Sequence, residues 1–218
     1  NRMIEACKAN DVLLVINHQR RWDPFFIKLK EVIEEAQYGS LEHINFVYTR
    51  GIENSGSHLF DMLRHLFGEV KEILSLNSIN DFENEETITA SIEFNRGLKG
   101  FLIGLNGDNY RAFDLEIYLS RGKITIDSSK NCYISNSEKS KRSEEFFELG
   151  EREPIKLIES NKESLLHLAF NEIIAFLEGE SSNISCSGLD GLRSIELIEA
   201  TKKSLVKNIP VKISSFYE

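Results

Sequence analysis

The sequence of 218 residues predicts an α+β fold in which helices cover one face of a large, mixed, mostly antiparallel open sheet. Three features predict this class. At least six segments of strand length carry apolar side chains, turn residues separate them at hairpin spacing, and segments with a helical period flank them. Because the helices form one layer, the other face of the sheet would be solvated or paired with another molecule.

The first residues predict the end of a different unit. Residues 1–10 suit a helix, with apolar side chains at positions 3, 4 and 7, and Val12–Ile16 suits a short, fully buried strand. Continuous apolar strands of this kind belong to parallel sheets that are covered on both faces. We therefore expect residues 1–17 to be a remnant of an upstream domain and residues 18–218 to form the main domain.

A helix and a strand follow at the start of the main domain. Asp23 is a favoured N-cap residue and Pro24 suits the first helical position, so a helix is expected to begin here. Its apolar residues recur at helical spacing and are Phe26, Leu29, Val32, Ile33 and Ala36. Gly39 is expected to end the helix, and residues 41–50 are expected to form a strand.

A polar segment, Gly51–Gly56, leads into the next helix. Ser57 is the expected N-cap, the helix is expected from about His58 to Phe67, and Gly68 is expected to end it. Strands are then predicted over residues 70–76, 87–94, 98–105, 111–120, 123–126 and 132–135. The alternation is clearest in 87–94 and 111–120, where every second residue is apolar.

The end of the chain predicts a weakly packed segment and two helices. Residues 128–143 are rich in Ser, Lys and Asn, which favours a poorly packed hairpin or loop. The helices are expected at about Lys162–Glu178 and Leu189–Lys207. The apolar stripe predicted for the second consists of Leu192, Ile195, Ile198, Leu205 and Val206.

Composition narrows the range of partners. The formal net charge of −9 argues against a nucleic-acid backbone or an anionic membrane as partner. The chain lacks an apolar run of the roughly 20 residues that a membrane helix needs. Cys7, Cys132 and Cys186 are too widely spaced for a metal-binding pair and suit free thiols in a reducing compartment. We expect a soluble, cytoplasmic protein.

His58 and Asp61 are the first candidates for chemistry. Three residues apart, they would share one face of a helix, where the carboxylate could fix the imidazole tautomer and raise its basicity. The helix N-terminus would oppose the imidazolium, and such a histidine could exchange a proton with a substrate hydroxyl. A surface histidine beside a helix-start aspartate explains the spacing as well, so both interpretations stay open. His65 would extend the pair to a possible metal stripe, but its apolar neighbours favour a half-buried packed residue, and we predict no metal.

The segment Asn17-His-Gln-Arg-Arg-Trp22 is the second candidate. It follows the predicted strand directly, and α/β sheets bind ligands at the carboxyl ends of their strands. Gln19, Arg20 and Arg21 could hold phosphates or carboxylates there. An interdomain salt-bridge cluster packed on Trp22 is an equal alternative.

Together these motifs resemble a known family. Asn17-His-Gln-Arg-Arg-Trp-Asp-Pro24, Asn54-Ser-Gly-Ser-His-Leu-Phe-Asp61 and Leu63-Arg-His-Leu-Phe-Gly68 look like the glucose–fructose oxidoreductase / inositol dehydrogenase (Gfo/Idh/MocA) family. The closing run from Gly191 to Ser204 and the following Ile209-Pro-Val211 are similar to that family's last helix and tail. The resemblance spans nearly the whole chain, although the middle strands match only in pattern.

The resemblance implies a two-domain enzyme. Members join an N-terminal Rossmann domain to a C-terminal domain of the dihydrodipicolinate-reductase-like type and move hydride between NAD or NADP and a secondary alcohol. The substrate would be a sugar, sugar nucleotide or cyclitol, and a homodimer or dimer of dimers would form through the open sheet face. Residues 1–17 would then be the remnant of the dinucleotide-binding domain. The family's lysine and glycine-rich loop would lie upstream, and this chain alone would be inactive.

The resemblance also implies roles for individual residues. His58 would take part in proton transfer, Asp61 would orient it, and Asn54 and Arg50 would contact the substrate. Gln19, Arg20 and Arg21 would lie near the edge of the cofactor. The family often has Asp where this chain has Asn54, and an amide binds a hydroxyl but cannot act as a base. The alternative function is a non-catalytic module that assembles through its bare sheet face.

Overall fold

The computed structural model describes residues 1–80, 85–142, 145–158 and 163–213. Its helices are α1 (Arg2–Ala9), α2 (Pro24–Glu34), α3 (Gly56–Phe67), α4 (Leu165–Leu177) and α5 (Gly188–Lys207), with a 3-10 helix at Gln19–Arg21 and a π-helical turn at Gly51–Ser55. Its strands are β1 (Leu41–Tyr48), β2 (Val70–Asn80), β3 (Glu86–Phe94), β4 (Lys99–Gly104), β5 (Phe113–Leu119), β6 (Gly122–Ile126), β7 (Cys132–Lys139), β8 (Phe147–Leu149), β9 (Glu153–Pro154) and β10 (Val211–Lys212).

The strands form one mixed sheet. Their order is β10-β2-β3-β4-β1-β5-β6-β7-β8, and β9 also pairs with β7. Among the described strands β1 and β4 pair in parallel, and the other neighbouring pairs are antiparallel. The predicted α+β class with a large, mostly antiparallel open sheet is confirmed.

The two faces of the sheet differ in burial. The covered face carries the main core, to which β1 contributes Ile44, Phe46 and Tyr48, each with 0% exposure. The opposite face of the central strands is partly buried and carries polar and aromatic side chains beside Val47 and Ile103. There the Asn45 side-chain amide and the Tyr118 hydroxyl both donate to Glu116, at 3.3 and 3.0 Å. No helix of the described residues is long and apolar enough to cross a membrane.

Asp23 begins α2 as predicted, but the helix ends earlier than predicted. The Asp23 carboxylate accepts a hydrogen bond from the Phe25 backbone N–H at 3.1 Å. The last helical residue is Glu34, and Ala36 follows with a φ of 49°. Gly39, predicted to end the helix, instead makes the turn into β1 with a φ of 95°, where a Cβ would lie 2.2 Å from the Ser120 hydroxyl oxygen.

The prediction of a buried strand over residues 12–16 is wrong for the described structure. Val12 is 59% exposed, and the segment forms one isolated antiparallel bridge, between Val15 and Ser187. Two backbone hydrogen bonds flank that bridge, from Ile16 N–H to Cys186 O and from Gly188 N–H to Leu14 O, both at 3.1 Å. A strand needs a continuous ladder, and the neighbouring backbone offers this segment only one short contact.

Ser57 is not the N-cap of α3, which corrects a second prediction. The helix begins at Gly56, directly after the π-helical turn, and the Ser57 hydroxyl donates to the carbonyl of Asn54 at 2.7 Å. The capping box lies instead at the start of α5. There the Ser187 hydroxyl accepts from the Asp190 N–H, and the Asp190 carboxylate accepts from the Ser187 N–H at 2.8 Å.

The apolar stripe predicted for α5 is confirmed only in part, because Ile198 is buried and Leu205 packs against the core but two other members are exposed. Ile195 and Val206 are 53% and 85% exposed. The buried face of the helix is built mainly from small residues and consists of Gly191, Ser194, Leu197, Ile198, Ala200, Thr201 and Ser204. Small side chains let α5 approach β2, where the Ser75 N–H donates to the Ser204 hydroxyl at 2.9 Å and the Ser75 hydroxyl donates to the Thr201 carbonyl at 2.7 Å.

Half of the segment predicted as a poorly packed hairpin or loop over residues 128–143 is strand β7, whose antiparallel pairing with β6 and β8 agrees with the hairpin alternative. Ser143 lies outside the described residues, as does Lys162, where the fourth helix was expected to begin. The three cysteines are free, as predicted, and Cys132 and Cys186 are buried.

Candidate functional site

The site is built around the turn that joins β1 to α3. Arg50 takes a left-handed conformation, with φ 69° and ψ 46°, which is uncommon for a residue other than glycine. Gly51 follows with a φ of 78°, and a Cβ there would lie 2.1 Å from the carboxyl carbon of Glu85. The Glu85 carboxylate accepts hydrogen bonds from the backbone N–H groups of Asn54, at 2.9 Å, and Glu53. Glu85, which directly precedes β3, therefore stabilises the turn through these backbone hydrogen bonds.

His58 faces a second histidine. Its Nδ1 lies 3.4 Å from Nδ1 of His18, and the two rings meet edge to face with centroids 5.3 Å apart. His18 is 8% exposed. Since neither nitrogen can serve as donor and acceptor at once, one ring must donate and the other accept.

Both histidines are held in the neutral form. Burial lowers the pKa of His18 below 6.5, and the opposing charge of Asp61 only partly offsets this. Burial likewise lowers the pKa of His58, with further lowering from the charge of Arg20. The resulting pair carries no net charge at neutral pH, which suits an exchange of protons with a hydroxyl group.

Asp61 does not orient His58 as the sequence predicted. Its carboxylate, 1% exposed, is held by Arg21, with Nε 3.0 Å from Oδ2 and Nη2 2.9 Å from Oδ1. Arg21 also donates to the carbonyl of Ser185 and to the Asp190 carboxylate, both at 2.9 Å. The carboxylate closest in sequence to His58 is thus used to fasten α3 to the 3-10 helix and to α5.

The three residues predicted near a cofactor edge have separate roles in the structure. Arg21 lies in the ion-pair cluster just described, which matches the salt-bridge alternative. The guanidinium of Arg20 lies over the ring of Phe113 at 3.9 Å, and burial lowers its pKa to about 10. Gln19 is exposed. Trp22 packs beneath this segment and donates from Nε1 to Glu172 at 2.5 Å.

Asn54 and Arg50 lie upstream of His58 on the same turn. The Asn54 side chain is exposed and lies about one helical turn before His58, whereas Arg50 is partly buried just after the end of β1.

A cavity of about 240 Å³ opens beside His18 and Ser57. Its walls are mainly apolar and include Met3, Ile4, Leu14, Ile16, Leu192 and Ile195.

His65 does not complete a metal site. Its Nε2 is buried without a hydrogen-bond partner among the described residues, and burial together with the charge of Lys30 lowers its pKa to about 4. Asp61 lies between His58 and His65 in the sequence and would be the third metal ligand. Its carboxylate instead accepts hydrogen bonds from Arg21. In the part of the chain that the structure describes, no group of three or more His, Cys, Asp or Glu residues could hold a metal ion.

Two site residues had no role in the sequence predictions. His18 was part of the 17–22 segment, and its place directly after an apolar run, beside Arg20 and Arg21, was the signal that could have identified it. Glu85 contacts the turn from 31 residues away in sequence, and no local pattern marks it.

A family model described as the C-terminal alpha/beta domain of an oxidoreductase family matches residues 53–213. Among curated relatives, myo-inositol 2-dehydrogenase of Thermotoga maritima is 28% identical and aligns with 98% of this chain and 68% of its own. The chain spans about two thirds of the length of the first curated relatives it matches, at 66% and 68%.

Solved structures share the fold. An oxidoreductase from Agrobacterium radiobacter, in complex with NAD+, L-tartaric acid and magnesium, has a TM-score of 0.74 at 16% identity and covers 99% of this chain and 69% of its own. The WlbA dehydrogenase from Bordetella pertussis, in complex with NADH and UDP-GlcNAcA, has a TM-score of 0.71 at 18% identity, with 97% and 66% covered.

Proposed function

Because the chain belongs to the Gfo/Idh/MocA oxidoreductase family, we propose that residues 18–218 form the substrate-binding and oligomerisation domain of an NAD(P)-dependent dehydrogenase. Residues 1–17 would belong to the dinucleotide-binding domain. The substrate would be a secondary alcohol of a sugar, sugar nucleotide or cyclitol. A myo-inositol dehydrogenase among the relatives and a UDP-GlcNAcA complex among the structural neighbours support this class of ligand.

The observation that carries the proposal is the neutral His58 at the start of α3. Its Nδ1 lies 3.4 Å from Nδ1 of His18, so Nε2 is the ring nitrogen that would meet a ligand. Oxidation of an alcohol releases a hydroxyl proton, and a neutral imidazole nitrogen is a suitable acceptor near pH 7. In the reverse direction the same nitrogen would return the proton.

Asn54 and Arg50 would bind the substrate. An exposed amide offers both a donor and an acceptor to vicinal hydroxyl groups, and a guanidinium suits a carboxylate or phosphate substituent. Since an amide is no base, His58 would exchange the proton without an aspartate partner at position 54. A lysine on the dinucleotide-binding domain is the expected second participant.

We expect the dinucleotide site to need residues beyond those of this chain. Arg20 and Arg21, predicted near the cofactor, are engaged with Phe113 and Asp61. NAD or NADP would therefore be bound mainly by the dinucleotide-binding domain, and it would supply the hydride acceptor. We expect this chain alone to bind neither dinucleotide tightly and to have no dehydrogenase activity.

Thermal-shift screening tests the proposed function. The polypeptide that joins this chain to its dinucleotide-binding domain would be heated with NAD(H) or NADP(H), with and without cyclitols, sugars and sugar nucleotides. A dinucleotide-dependent rise in Tm, with a further rise for one polyol class, is the expected result. Absence of any dinucleotide effect would instead favour the alternative function, a non-catalytic module that assembles through the sheet face.

A further inference from the structure

Among the described residues, His18 is the titratable group whose side chain lies within hydrogen-bonding distance of the His58 ring. The two Nδ1 atoms are 3.4 Å apart, and the edge-to-face rings are inclined at 89°. This distance is at the long end for a hydrogen bond, as is common for catalytic contacts before a ligand binds. Because His18 is 8% exposed, water competes little for the shared position.

The contact links the tautomers of the two rings. If His58 carries its hydrogen on Nδ1, His18 accepts that hydrogen bond and His58 Nε2 keeps a lone pair. If His18 donates instead, His58 must carry its hydrogen on Nε2 and cannot accept a proton there. Only the first arrangement leaves His58 Nε2 able to accept a proton.

The neighbouring charges favour the first arrangement. Burial lowers both pKa values, but the charge that acts most strongly on His18 is Asp61, which raises its pKa. The charge that acts most strongly on His58 is Arg20, which lowers its pKa. His18 is therefore the better acceptor and His58 the better donor. The Arg21 bridge keeps Asp61 in place for this effect.

We propose that His18 is the positioning residue of the site: its Nδ1 accepts a hydrogen bond from His58 Nδ1–H and so presents His58 Nε2 as the proton acceptor. His18 fills the position that a carboxylate occupies beside the histidine in many hydrolases. Being neutral, it would orient His58 without stabilising the imidazolium as strongly. The tautomeric part of this inference concerns the chain alone, and its catalytic part rests on the proposed function.

Two substitutions separate orientation from packing. His18→Phe keeps an aromatic ring of similar shape but removes the acceptor. His18→Asn is smaller, yet its side-chain oxygen can occupy the place of Nδ1 and accept the same hydrogen bond. A purely structural role would be preserved better by Phe than by Asn, whereas the proposed role predicts the opposite order.

Nitrogen-15 NMR of the 218-residue chain reads the tautomer directly, at a pH where both rings are neutral and with His58→Gln to assign the signals. We expect His58 to carry its hydrogen on Nδ1 in the wild type and in His18→Asn. In His18→Phe the hydrogen should move to Nε2, the form that an isolated neutral imidazole prefers. A wild-type His58 with hydrogen on Nε2 would overturn the proposal even if His18→Phe failed to fold, and so would a tautomer unchanged in a folded His18→Phe.

Turnover by the two-domain polypeptide tests the catalytic part. His18→Phe should lower kcat on the order of 10-fold to 100-fold with little change in KM, and His18→Asn should restore most of it. Unchanged kcat in His18→Phe would contradict a positioning role. If the expected tautomer is observed but the wild-type enzyme oxidises no alcohol, the proposed function fails and the histidine pair stands.

Discussion

The residue on which the geometry of the site most depends is Arg21. It holds the buried carboxylate of Asp61 with three hydrogen bonds and also reaches Asp190 at 2.9 Å. These contacts join α3, the 3-10 helix and α5, so they set the distance between His58 and His18. A pair that is this well buried contributes little net stability compared with an apolar replacement, but removal of one partner leaves an uncompensated charge.

Arg21→Gln is therefore expected to lower the free energy of unfolding by about 3–5 kcal/mol, because Asp61 stays 1% exposed without its counter-ion. Urea denaturation followed by circular dichroism measures this. The matched control is Lys28→Gln, whose solvent-screened pair with Glu31 should contribute far less to stability. Equal changes in the free energy of unfolding for the two substitutions would show that the ion pairs of Arg21 do not hold these elements together.

His65 gives the chain an acid sensitivity. Its pKa is lowered to about 4 by burial and by Lys30 and Arg21, against the weaker opposing charges of Asp61 and Asp190. The unfolded chain therefore binds the proton more readily, so stability falls as the pH drops below 6.5 and levels off below about 4. The shift corresponds to roughly 3 kcal/mol at about 1.4 kcal/mol per pH unit.

His65→Gln should flatten this part of the stability–pH curve. Chemical denaturation at several pH values between 6.5 and 4 would measure the slope. His167→Gln, a change at an exposed histidine on α4, serves as the control and should leave the slope as it is in the wild type. A slope that stays the same in His65→Gln would assign the acid sensitivity to other groups.

The sequence predicted candidate residues for the site, but it did not predict which of their side chains contact one another. His58, Asp61 and Arg21 were all candidates, yet Arg21 and Asp61 are 40 residues apart and their pairing depends on how α3 docks on the 3-10 helix. The spacing of His58 and Asp61 suggested that these two side chains pair, whereas in the structure His58 contacts His18. Long-range electrostatic pairing has no local periodicity from which it can be read.

Among the elements, α5 shows how burial can depend on small polar residues. Ser204 accepts from the Ser75 N–H at 2.9 Å and donates to the carbonyl of Ile209 at 2.6 Å. The first contact joins the helix to β2, and the second joins it to the segment that follows α5. A hydroxyl that serves a buried backbone N–H cannot be removed without leaving that group unsatisfied.

Ser204→Ala should therefore destabilise the protein by about 1–3 kcal/mol, although it removes only one oxygen atom. Val206→Ala, two residues further along and 85% exposed, should change stability by less than about 0.5 kcal/mol. Thermal unfolding of the two variants compares them. The opposite order would restore the apolar stripe that hydropathy predicted and contradict the observed orientation of α5.

The elements were predicted well wherever apolar periodicity is strong. Residues 87–94 and 111–120 alternate cleanly, and they correspond to β3 and β5 with the predicted faces buried. Hydropathy does not predict the buried face of α5, because it does not distinguish a small buried residue from a solvated one. That face includes Gly191, Ser194, Thr201 and Ser204. Hydropathy fails again at residues 12–16, where an apolar run lacks a ladder partner in the described structure.

For the molecule as a whole, the uncovered sheet face is the surface that we propose for assembly into a homodimer or dimer of dimers. Phe101 is 41% exposed there and lies beside His43, with ring centroids 5.7 Å apart, and Tyr118 lies on the other side of His43. Half-buried aromatic residues among satisfied polar groups are typical of protein–protein interfaces.

Phe101→Glu should convert the oligomer into monomers, because a charge would be placed in the centre of the contact. Size-exclusion chromatography with light scattering gives the mass. Val206→Glu introduces the same charge on an exposed position of α5 and should leave the mass unchanged. A monomeric wild type, or an oligomer that persists in Phe101→Glu, would remove the sheet face from the proposal.

At this largest scale the class of the fold followed from the sequence, but the strand order did not. The parallel pairing of β1 with β4 brings together strands about 55 residues apart, and turn residues cannot predict such a pairing. The site depends on this order, since β1 ends at Tyr48 and the turn through Arg50 connects it to α3.

The central claim is that His58 exchanges the hydroxyl proton of a secondary alcohol. Its most direct test is steady-state turnover of the two-domain polypeptide with His58→Gln, which keeps a polar side chain but cannot accept a proton. We expect kcat to fall on the order of 10²-fold to 10⁴-fold, with dinucleotide binding and oligomer mass unchanged. A kcat within about twofold of the wild type, in a folded variant that still binds the dinucleotide, would contradict the claim.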